Sequence, residues 1–191
     1  MDLTQQQIGA RLPNAQVVFN PFAVPFENHI SRVRSDKIKL ACVARLFLLD
    51  KGQDNLLRVL SKEKWKRRGV EVTFFGEGVN KQALVEMARL LDVQNIKFAG
   101  HVQDVAEIWK DHHALVLPSR SEGLPLALVE AMLCGRPSII TNAGGSSEIV
   151  EDNVDDFIAR APTTRLLMKH WSAPGQGGTS GNKSADARRK V

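Results

Sequence analysis

Two glutamates mark the stretch of the sequence that is best suited to chemistry. Glu122 and Glu130 bracket seven residues in SEGLPLALVEAML, and Pro125 stands close to the position where a helix would begin. Proline is favoured at the first helical position, because its missing N–H would have no partner there. We therefore expect an anionic group at the positive end of this helix, on the free backbone amides of Gly123, Leu124 and Leu126.

The two carboxylates are suited to binding the hydroxyl groups of a sugar. Glu122 is expected at the mouth of the site, and Glu130, two turns further along the helix, could reach hydroxyls deeper in the ligand. A carboxylate accepts two hydroxyl hydrogen bonds well, which matches the vicinal diols of ribose or a hexose.

Two cations follow the first predicted strand and could hold a diphosphate. A diphosphate leaving group needs cations because negative charge develops on it as the bond to the sugar breaks. Arg45 and Lys51 supply that charge, and no Asp-x-Asp motif occurs in the chain. We therefore expect no metal ion and no other cofactor.

Each of these residues also has an ordinary interpretation. Arg45 and Lys51 could be surface charges, the two glutamates a solvated helix face, and His101 a loop histidine. The functional interpretation is favoured because all of them follow strands of one predicted parallel sheet, and ligands bind outside the carboxyl ends of such strands.

The hydrophobic pattern predicts an α/β fold with a Rossmann-like parallel sheet flanked by helices. Strands are predicted at 38–44, 70–75, 95–99, 114–117 and 137–140, with helices near 52–66, 80–91, 103–110 and 124–133. The segment after the first strand, ARLFLLDKG, has no glycine-rich turn, so an NAD-binding domain is disfavoured.

Outside this region the sequence has a different character. Residues 1–36 contain one strand-like run, 15–19, and a proline-rich stretch that indicates a linker or the end of another domain. The repeating pattern defines a domain over 37–162. Residues 163–191 are rich in Gly, Ser and Lys, which is typical of a disordered tail.

Charge and composition narrow the possible functions. The formal net charge is +5, but residues 160–191 alone contribute seven cations and one acid, so residues 1–159 are nearly neutral. We do not expect nucleic-acid binding. Cys42 and Cys134 lie in apolar runs and are expected to be buried thiols. No transmembrane segment or signal peptide is apparent, which predicts a cytoplasmic protein.

The motifs resemble the retaining nucleotide-sugar glycosyltransferases of family 4, which have the two-lobed GT-B fold. Segments ARLFLLDKGQDNLL, FFGEGVNKQ, IKFAGHVQDVAEIW, ALVLPSRSEGLPLALVEAMLCGRPSIIT, AGGSSEIV and FIARAP follow that family's C-terminal lobe in order, over roughly residues 38–162. The E-x7-E stretch is the most specific of these matches.

The resemblance implies a role for each site residue. Arg45 and Lys51 would contact the donor diphosphate, Glu130 the ribose, and Glu122 with the following amides the transferred sugar. His101 and Val102 look like the segment beside the nucleobase. Arg45, Lys51 and Glu122 would be the catalytic residues of a transfer with retained configuration. Glu122 is not assigned as a nucleophile.

The resemblance also implies that much of an acceptor-binding lobe is missing. LPNAQVVFNPF resembles the end of the N-terminal lobe, so residues 1–36 would be its remnant and a separate lobe would be a partner. The full enzyme could make peripheral membrane contact. Asp156 stands where the family usually has glycine, which predicts a strained turn.

The basic tail suggests a frameshift. Residues 168–191 can be back-translated so that a one-base shift reads DEALERAWARRDEWEQIGRCAAK, an amphipathic string that resembles the family's C-terminal helix. We therefore expect a frameshift after Leu167. Sequencing the DNA across codons 160–170 should reveal that frame, and its absence would make the tail a native extension.

Other functions remain open at this point. The chain could be a non-catalytic nucleotide-sugar-binding module whose tail recruits a partner, or an inactive truncated product. A sugar phosphorylase of similar two-lobed shape is less favoured, because no lysine stands in a recognisable pyridoxal-phosphate context.

Overall fold

The computed structural model of the protein describes residues 33–144, 146–150 and 157–159. The predicted strand at 15–19, the strained turn at Asp156 and the basic tail with its frameshift lie outside these residues. The domain boundaries at 36 and 162 therefore stay predictions.

The centre of the fold is a six-stranded parallel sheet with the strand order β3-β2-β1-β4-β5-β6. All five predicted strands are confirmed to within one residue at each end. A sixth strand, β6, was not predicted and pairs with β5. The strands are β1 (Ile38–Val43), β2 (Val70–Phe75), β3 (Ile96–Gly100), β4 (Ala114–Leu117), β5 (Ser138–Thr141) and β6 (Phe157–Ala159).

Helices connect the strands and cover both faces of the sheet, so the predicted Rossmann-like sheet flanked by helices is confirmed. They are α1 (Leu48–Lys51), α2 (Gln53–Leu60), α3 (Glu63–Lys66), α4 (Lys81–Leu90), α5 (Val105–Asp111), α6 (Leu126–Leu133) and α7 (Ser146–Ile149).

The prediction of one continuous helix over 52–66 was wrong. The chain forms α2 and α3 instead, with a break at residues 61 and 62. The Ser61 hydroxyl donates to the carbonyl oxygen of Arg58 at 3.0 Å, and serine side chains that bond the local backbone compete with the helix. The break lets α3 turn and bury Trp65, which is 1% exposed.

Successive side chains along each strand point to opposite faces of the sheet, so each face has its own apolar core. In β1, Leu40 and Cys42 face the core formed with α2, α3 and α4, whereas Ala41 joins Leu115 in the core formed with α5 and α6. Both faces are apolar because helices cover both. Burial of the cysteines, as predicted, is confirmed at 1% exposure for Cys42 and 2% for Cys134.

The strand order reverses direction between β1 and β4, and this reversal fixes where a ligand can bind. From β1 the chain proceeds to β2 and β3 on one side, then returns to β4, β5 and β6 on the other. Connections leave the carboxyl ends of β1 and β4 in opposite directions and open a crevice between them.

A close backbone contact joins the two sides of this crevice. Gly52, between α1 and α2, has φ +60°, and a Cβ atom there would lie 2.2 Å from the carbonyl oxygen of Pro118, just after β4. Only glycine permits both this left-handed conformation and this approach.

We predict that Gly52→Ala lowers the free energy of unfolding by about 3 kcal/mol, because left-handed backbone strain and a backbone clash add together. Gly135→Ala is the matched control, since Gly135 has φ +65° with open space around its Cα. The control should lose only about 1 kcal/mol. Urea unfolding measures both, and equal losses would contradict the contact.

Candidate functional site

A cleft of about 670 Å³ opens at the carboxyl edge of the sheet, over the crevice between β1 and β4. Eight of the nine predicted site residues line it: Arg45, Lys51, His101, Val102, Glu122, Leu124, Leu126 and Glu130. Gly123 does not line it. The structure thus brings residues that are up to 85 positions apart to one cleft, and their individual roles stay predictions.

An ion pair crosses the mouth of the cleft. Lys51 Nζ lies 2.6 Å from Glu122 Oε2, and the two side chains are 21% and 7% exposed. The other carboxylate oxygen, Oε1, accepts a hydrogen bond of 2.6 Å from the Ser119 hydroxyl. Glu122 is therefore held at both oxygens, by a cation from α1 and by a hydroxyl from its own loop.

The two segments that carry this ion pair are bonded to each other. The backbone amides of Arg120 and Ser121 both donate to the carbonyl oxygen of Asp50, at 2.6 and 3.1 Å. The Arg120 guanidinium donates to both carboxylate oxygens of Asp54, at 2.7 and 2.8 Å, and to the Leu48 carbonyl oxygen. The distance between Lys51 and Glu122 is set by this connection.

Glycine also permits a close approach on the other side of the Glu122 loop. A Cβ atom at Gly144, after β5, would lie 1.7 Å from the Glu122 carbonyl oxygen. The Thr141 hydroxyl donates a short hydrogen bond to the Ser119 carbonyl oxygen. The loop that carries Glu122 is therefore held between the segments that follow β1 and β5.

Arg45 is placed differently from Lys51. Its side chain is 65% exposed, its ion pair with Asp50 is a long one of 3.8 Å, and its guanidinium lies 5.0 Å from the centre of the Phe47 ring. Its backbone is fixed, because the Gln53 amide donates to its carbonyl oxygen at 2.8 Å. Arg45 therefore extends from a rigid loop and can move toward an anion.

The helix α6 starts two residues later than predicted. It begins at Leu126, with Pro125 as the residue before its first turn, so Gly123 and Leu124 lie in the preceding loop. The predicted anion site on the helix end therefore reduces to the amides of Leu126 and Ala127, because the Leu128 amide donates to the Pro125 carbonyl oxygen at 3.0 Å. Further along, Glu130 lines the cleft and is 6% exposed.

His101 and Val102 follow β3 and line the cleft together with Phe75, the last residue of β2, and Glu77, which follows β2. The Glu77 carboxylate pairs with Lys81 at 3.0 Å and is 54% exposed, so it is far more open to solvent than the carboxylate of Glu122.

Sequence reasoning missed the residues that fix the cleft rather than line it. Ser119 and Arg120 precede the E-x7-E stretch, but neither they nor Asp50 and Asp54 were predicted to have a role. The partners Arg120 and Asp54 are 66 residues apart, so no local pattern could have revealed their contact.

The electrostatics beneath the ion pair favour neutral groups. Burial raises the pKa of the Cys42 thiol to about 12, and the negative charge of Glu122 adds to this effect while Lys51 opposes it. At physiological pH the thiol stays protonated, and protonated thiols are poor nucleophiles. Cys42 therefore adds no charge beneath the ion pair at the cleft mouth.

Within residues 33–144, 146–150 and 157–159, no group of three or more His, Cys, Asp or Glu side chains could hold a metal ion. The absence of a metal from the reaction stays a prediction. In the same ranges, no helix combines the length and the hydrophobicity that crossing a bilayer requires.

The sheet and the covering helices are those of the Rossmann-like lobe of GT-B glycosyltransferases. HepE from Anabaena, solved in complex with UDP and glucose, superposes with a TM-score of 0.72 at 22% identity, over 86% of this chain and 48% of that one. The C-terminal domain of a glycosyl transferase group 1 family protein from Francisella tularensis gives a TM-score of 0.62 at 18% identity, over 77% and 85%.

The chain belongs to the family Glycosyl transferases group 1, whose profile matches residues 37–169. An uncharacterized glycosyltransferase from Haemophilus influenzae is 27% identical over 154 residues, which cover 80% of this chain and 43% of the relative. The chain thus spans less than half the length of that relative.

The Arg120–Asp54 pair gives a test of how the site is held. Burial raises the pKa of Asp54, but the hydrogen bonds and charge of Arg120 outweigh burial and leave the pKa below its usual value. A carboxyl with a lowered pKa stabilises the folded state above its unfolded pKa, about 3.9, and loses that contribution as the pH falls through the folded value.

We predict that Asp54→Asn lowers the free energy of unfolding by about 1 kcal/mol at pH 7, since the pair is partly exposed. The difference from wild type should shrink below about pH 4 as Asp54 becomes protonated. Urea unfolding across pH 3 to 7 measures it. A difference that stays constant with pH would argue against the ion pair.

Proposed function

We propose that this chain is the donor-binding lobe of a glycosyltransferase that transfers a sugar from a nucleotide diphosphate with retention of configuration. The observation that carries the proposal is the convergence of Arg45, Lys51, Glu122 and Glu130 on one cleft at the carboxyl edge of the sheet. Family membership supports sugar transfer. The assignment to family 4 and the retention of configuration are part of the proposal.

The diphosphate is assigned to the side of the cleft that carries positive charge. Lys51 enters from the end of α1, Arg45 extends from the loop after β1, and the first-turn amides of α6 face the same space. A doubly charged leaving group is bound best where cations and a helix N-terminus meet.

The ribose and the transferred sugar are assigned to the two glutamates. Glu130 lies inside the cleft and almost out of contact with water, so ribose hydroxyls would be ordered donors to it. Glu122 lies at the mouth, where the transferred sugar would project. His101 and Val102, which follow β3, are assigned to the nucleobase.

The size of the cleft is consistent with such a ligand. Its volume of about 670 Å³ falls within the roughly 300–1,000 Å³ of small-molecule sites. HepE from Anabaena was solved with UDP and glucose, and the likeness of fold supports a nucleotide-sugar here. The identity of the base and of the sugar is not assigned.

The chemistry follows from where charge develops. As the bond between the anomeric carbon and the phosphate oxygen breaks, the electron pair leaves with the nucleotide diphosphate. Lys51 and Arg45 stabilise that charge, which grows in the transition state. An acceptor hydroxyl then attacks the same face, and its proton passes to the departing phosphate oxygen. No metal ion or other cofactor takes part in the proposed reaction.

The acceptor is proposed to bind on a second lobe. Residues 37–162 would form the donor domain, residues 1–36 the end of the acceptor lobe, and 163–191 a basic extension. The short coverage of the Haemophilus relative supports this division. The proposed enzyme is cytoplasmic and acts on a nucleotide-sugar without binding nucleic acid, and the complete enzyme could contact a membrane surface peripherally.

Calorimetric titration with UDP-glucose, GDP-mannose and other nucleotide-sugars tests donor binding. Sugar transfer is then sought after a separately expressed N-terminal lobe from a family member is added, with NMR of the anomeric proton to read the configuration. Binding without transfer in the presence of any lobe would favour a non-catalytic binding module, and no binding at all would reject the proposal.

Single variants should separate the diphosphate from the ribose contacts. We predict that Lys51→Ala and Arg45→Ala each weaken nucleoside diphosphate binding by at least about tenfold and nucleoside binding little, since a charge-assisted contact contributes about 1.5–3 kcal/mol. Glu130→Ala should weaken both ligands by about 1–3 kcal/mol through unpaired ribose hydroxyls. Calorimetry measures each affinity.

The control for these variants is Lys62→Ala, an exposed cation that precedes α3 near the amino edge of the sheet. It removes one positive charge far from the cleft and should leave both affinities unchanged. Equal losses of nucleoside and diphosphate in Lys51→Ala would reject the role assigned to Lys51.

A further inference from the structure

We propose that Glu122 competes with the donor phosphates for Lys51, and that this competition makes the cleft prefer a nucleotide-sugar over the free nucleoside diphosphate. The inference rests on the proposed function and adds a source of specificity to it. It concerns the state of the cleft before a ligand enters.

Lys51 is already paired with Glu122 in the unliganded cleft. Its ammonium group lies 2.6 Å from a carboxylate that is 7% exposed, so a large part of its charge is compensated in the unliganded cleft. A phosphate that binds Lys51 must draw the ammonium group away from Glu122 or share it. Arg45, which is 65% exposed and pairs with Asp50 only at the long distance of 3.8 Å, carries no comparable restriction.

Glu122 loses one of its two partners once Lys51 turns toward a phosphate. The carboxylate keeps the hydrogen bond from Ser119 on Oε1, but Oε2 loses its cation in a nearly buried position. Leaving a buried charge without its partner is strongly unfavourable. A phosphate that approaches also brings like charge toward Glu122, which adds repulsion.

A bound sugar can restore the hydrogen bonding of the Glu122 carboxylate. The hydroxyls of a transferred sugar at the cleft mouth can donate to Oε2 and replace the bond that Lys51 gave up. A free nucleoside diphosphate has no hydroxyl donors at this position, because its ribose is assigned to Glu130. The donor substrate therefore completes an exchange of partners, whereas the nucleotide product leaves Glu122 partly unsatisfied and is released more easily.

The arrangement around the pair makes the exchange selective. The bonds from Arg120 and Ser121 to Asp50 hold the two backbone segments at a fixed separation, so the pair cannot relax by moving the loops apart. Only the Lys51 side chain, which is 21% exposed, has room to turn toward the cleft.

Two variants should change diphosphate affinity in opposite directions. In Glu122→Gln the competitor loses its charge, so UDP should bind about tenfold more tightly than to wild type and the preference for UDP-glucose over UDP should nearly vanish. In Ser119→Ala the carboxylate loses its second partner and depends more on Lys51, so UDP should bind severalfold more weakly and the preference should increase.

Glu77→Gln is the matched control, because Glu77 also lines the cleft but pairs with Lys81 rather than Lys51. It removes the same charge from the cleft, so a general loss of repulsion would tighten UDP binding in both glutamine variants. The proposal requires a change in UDP affinity below about threefold for Glu77→Gln.

Calorimetry with UDP and UDP-glucose, repeated with GDP and GDP-mannose, measures the ratio of the two affinities. Thermal unfolding checks that each variant is folded.

If wild type binds both ligands of a pair but Glu122→Gln binds the diphosphate no more tightly, the competition is rejected and the proposed function stands. If Glu122→Gln does not fold, an unchanged or reduced preference in Ser119→Ala rejects the competition by itself. Wild type that binds none of the four ligands rejects the proposed function instead.

Discussion

The arrangement of the cleft depends on one ion pair, between Lys51 after β1 and Glu122 after β4. The two residues stand 71 positions apart, on segments that leave the sheet on opposite sides of the point where the strand order reverses. In most parallel sheets that point is an open crevice. Here the crevice is spanned at its mouth by opposite charges, and the backbone bonds of Arg120 and Ser121 to Asp50 prevent the two sides from separating.

The packing of the two cores also determines where Glu122 lies in the cleft. Each strand places its apolar residues alternately into the two cores, on either face of the sheet. This packing fixes where each strand ends along the sheet. Gly52 and Gly144 then allow neighbouring loops to approach the β4–α6 connection to within distances that no side chain would permit. The position of Glu122 is thus determined by backbone packing on both sides, and its charge is balanced by Lys51 and Ser119 rather than by solvent.

The sequence was sufficient to predict the strands, because their β-branched and apolar runs alternate with amphipathic helical stretches. It was also sufficient to predict which residues would meet at one edge of the sheet. It failed where the deciding contact was local but polar, as in the break at Ser61 that divides the predicted helix. It also failed where the contact joined distant segments, as between Arg120 and Asp54. The strand β6 was missed because three residues carry too little periodicity to be distinguished from a loop.

The two cysteines are distributed in a way that has a practical consequence. Cys42 lies in the core on one face of the sheet and Cys134 in the core on the other, and burial raises the pKa of both thiols, to about 12 and about 11. A thiol reagent can therefore react only after the corresponding face has opened. The two thiols are natural labelling sites, one in each core. Mass spectrometry of the modified peptides would distinguish opening on the α4 side of the sheet from opening on the α6 side.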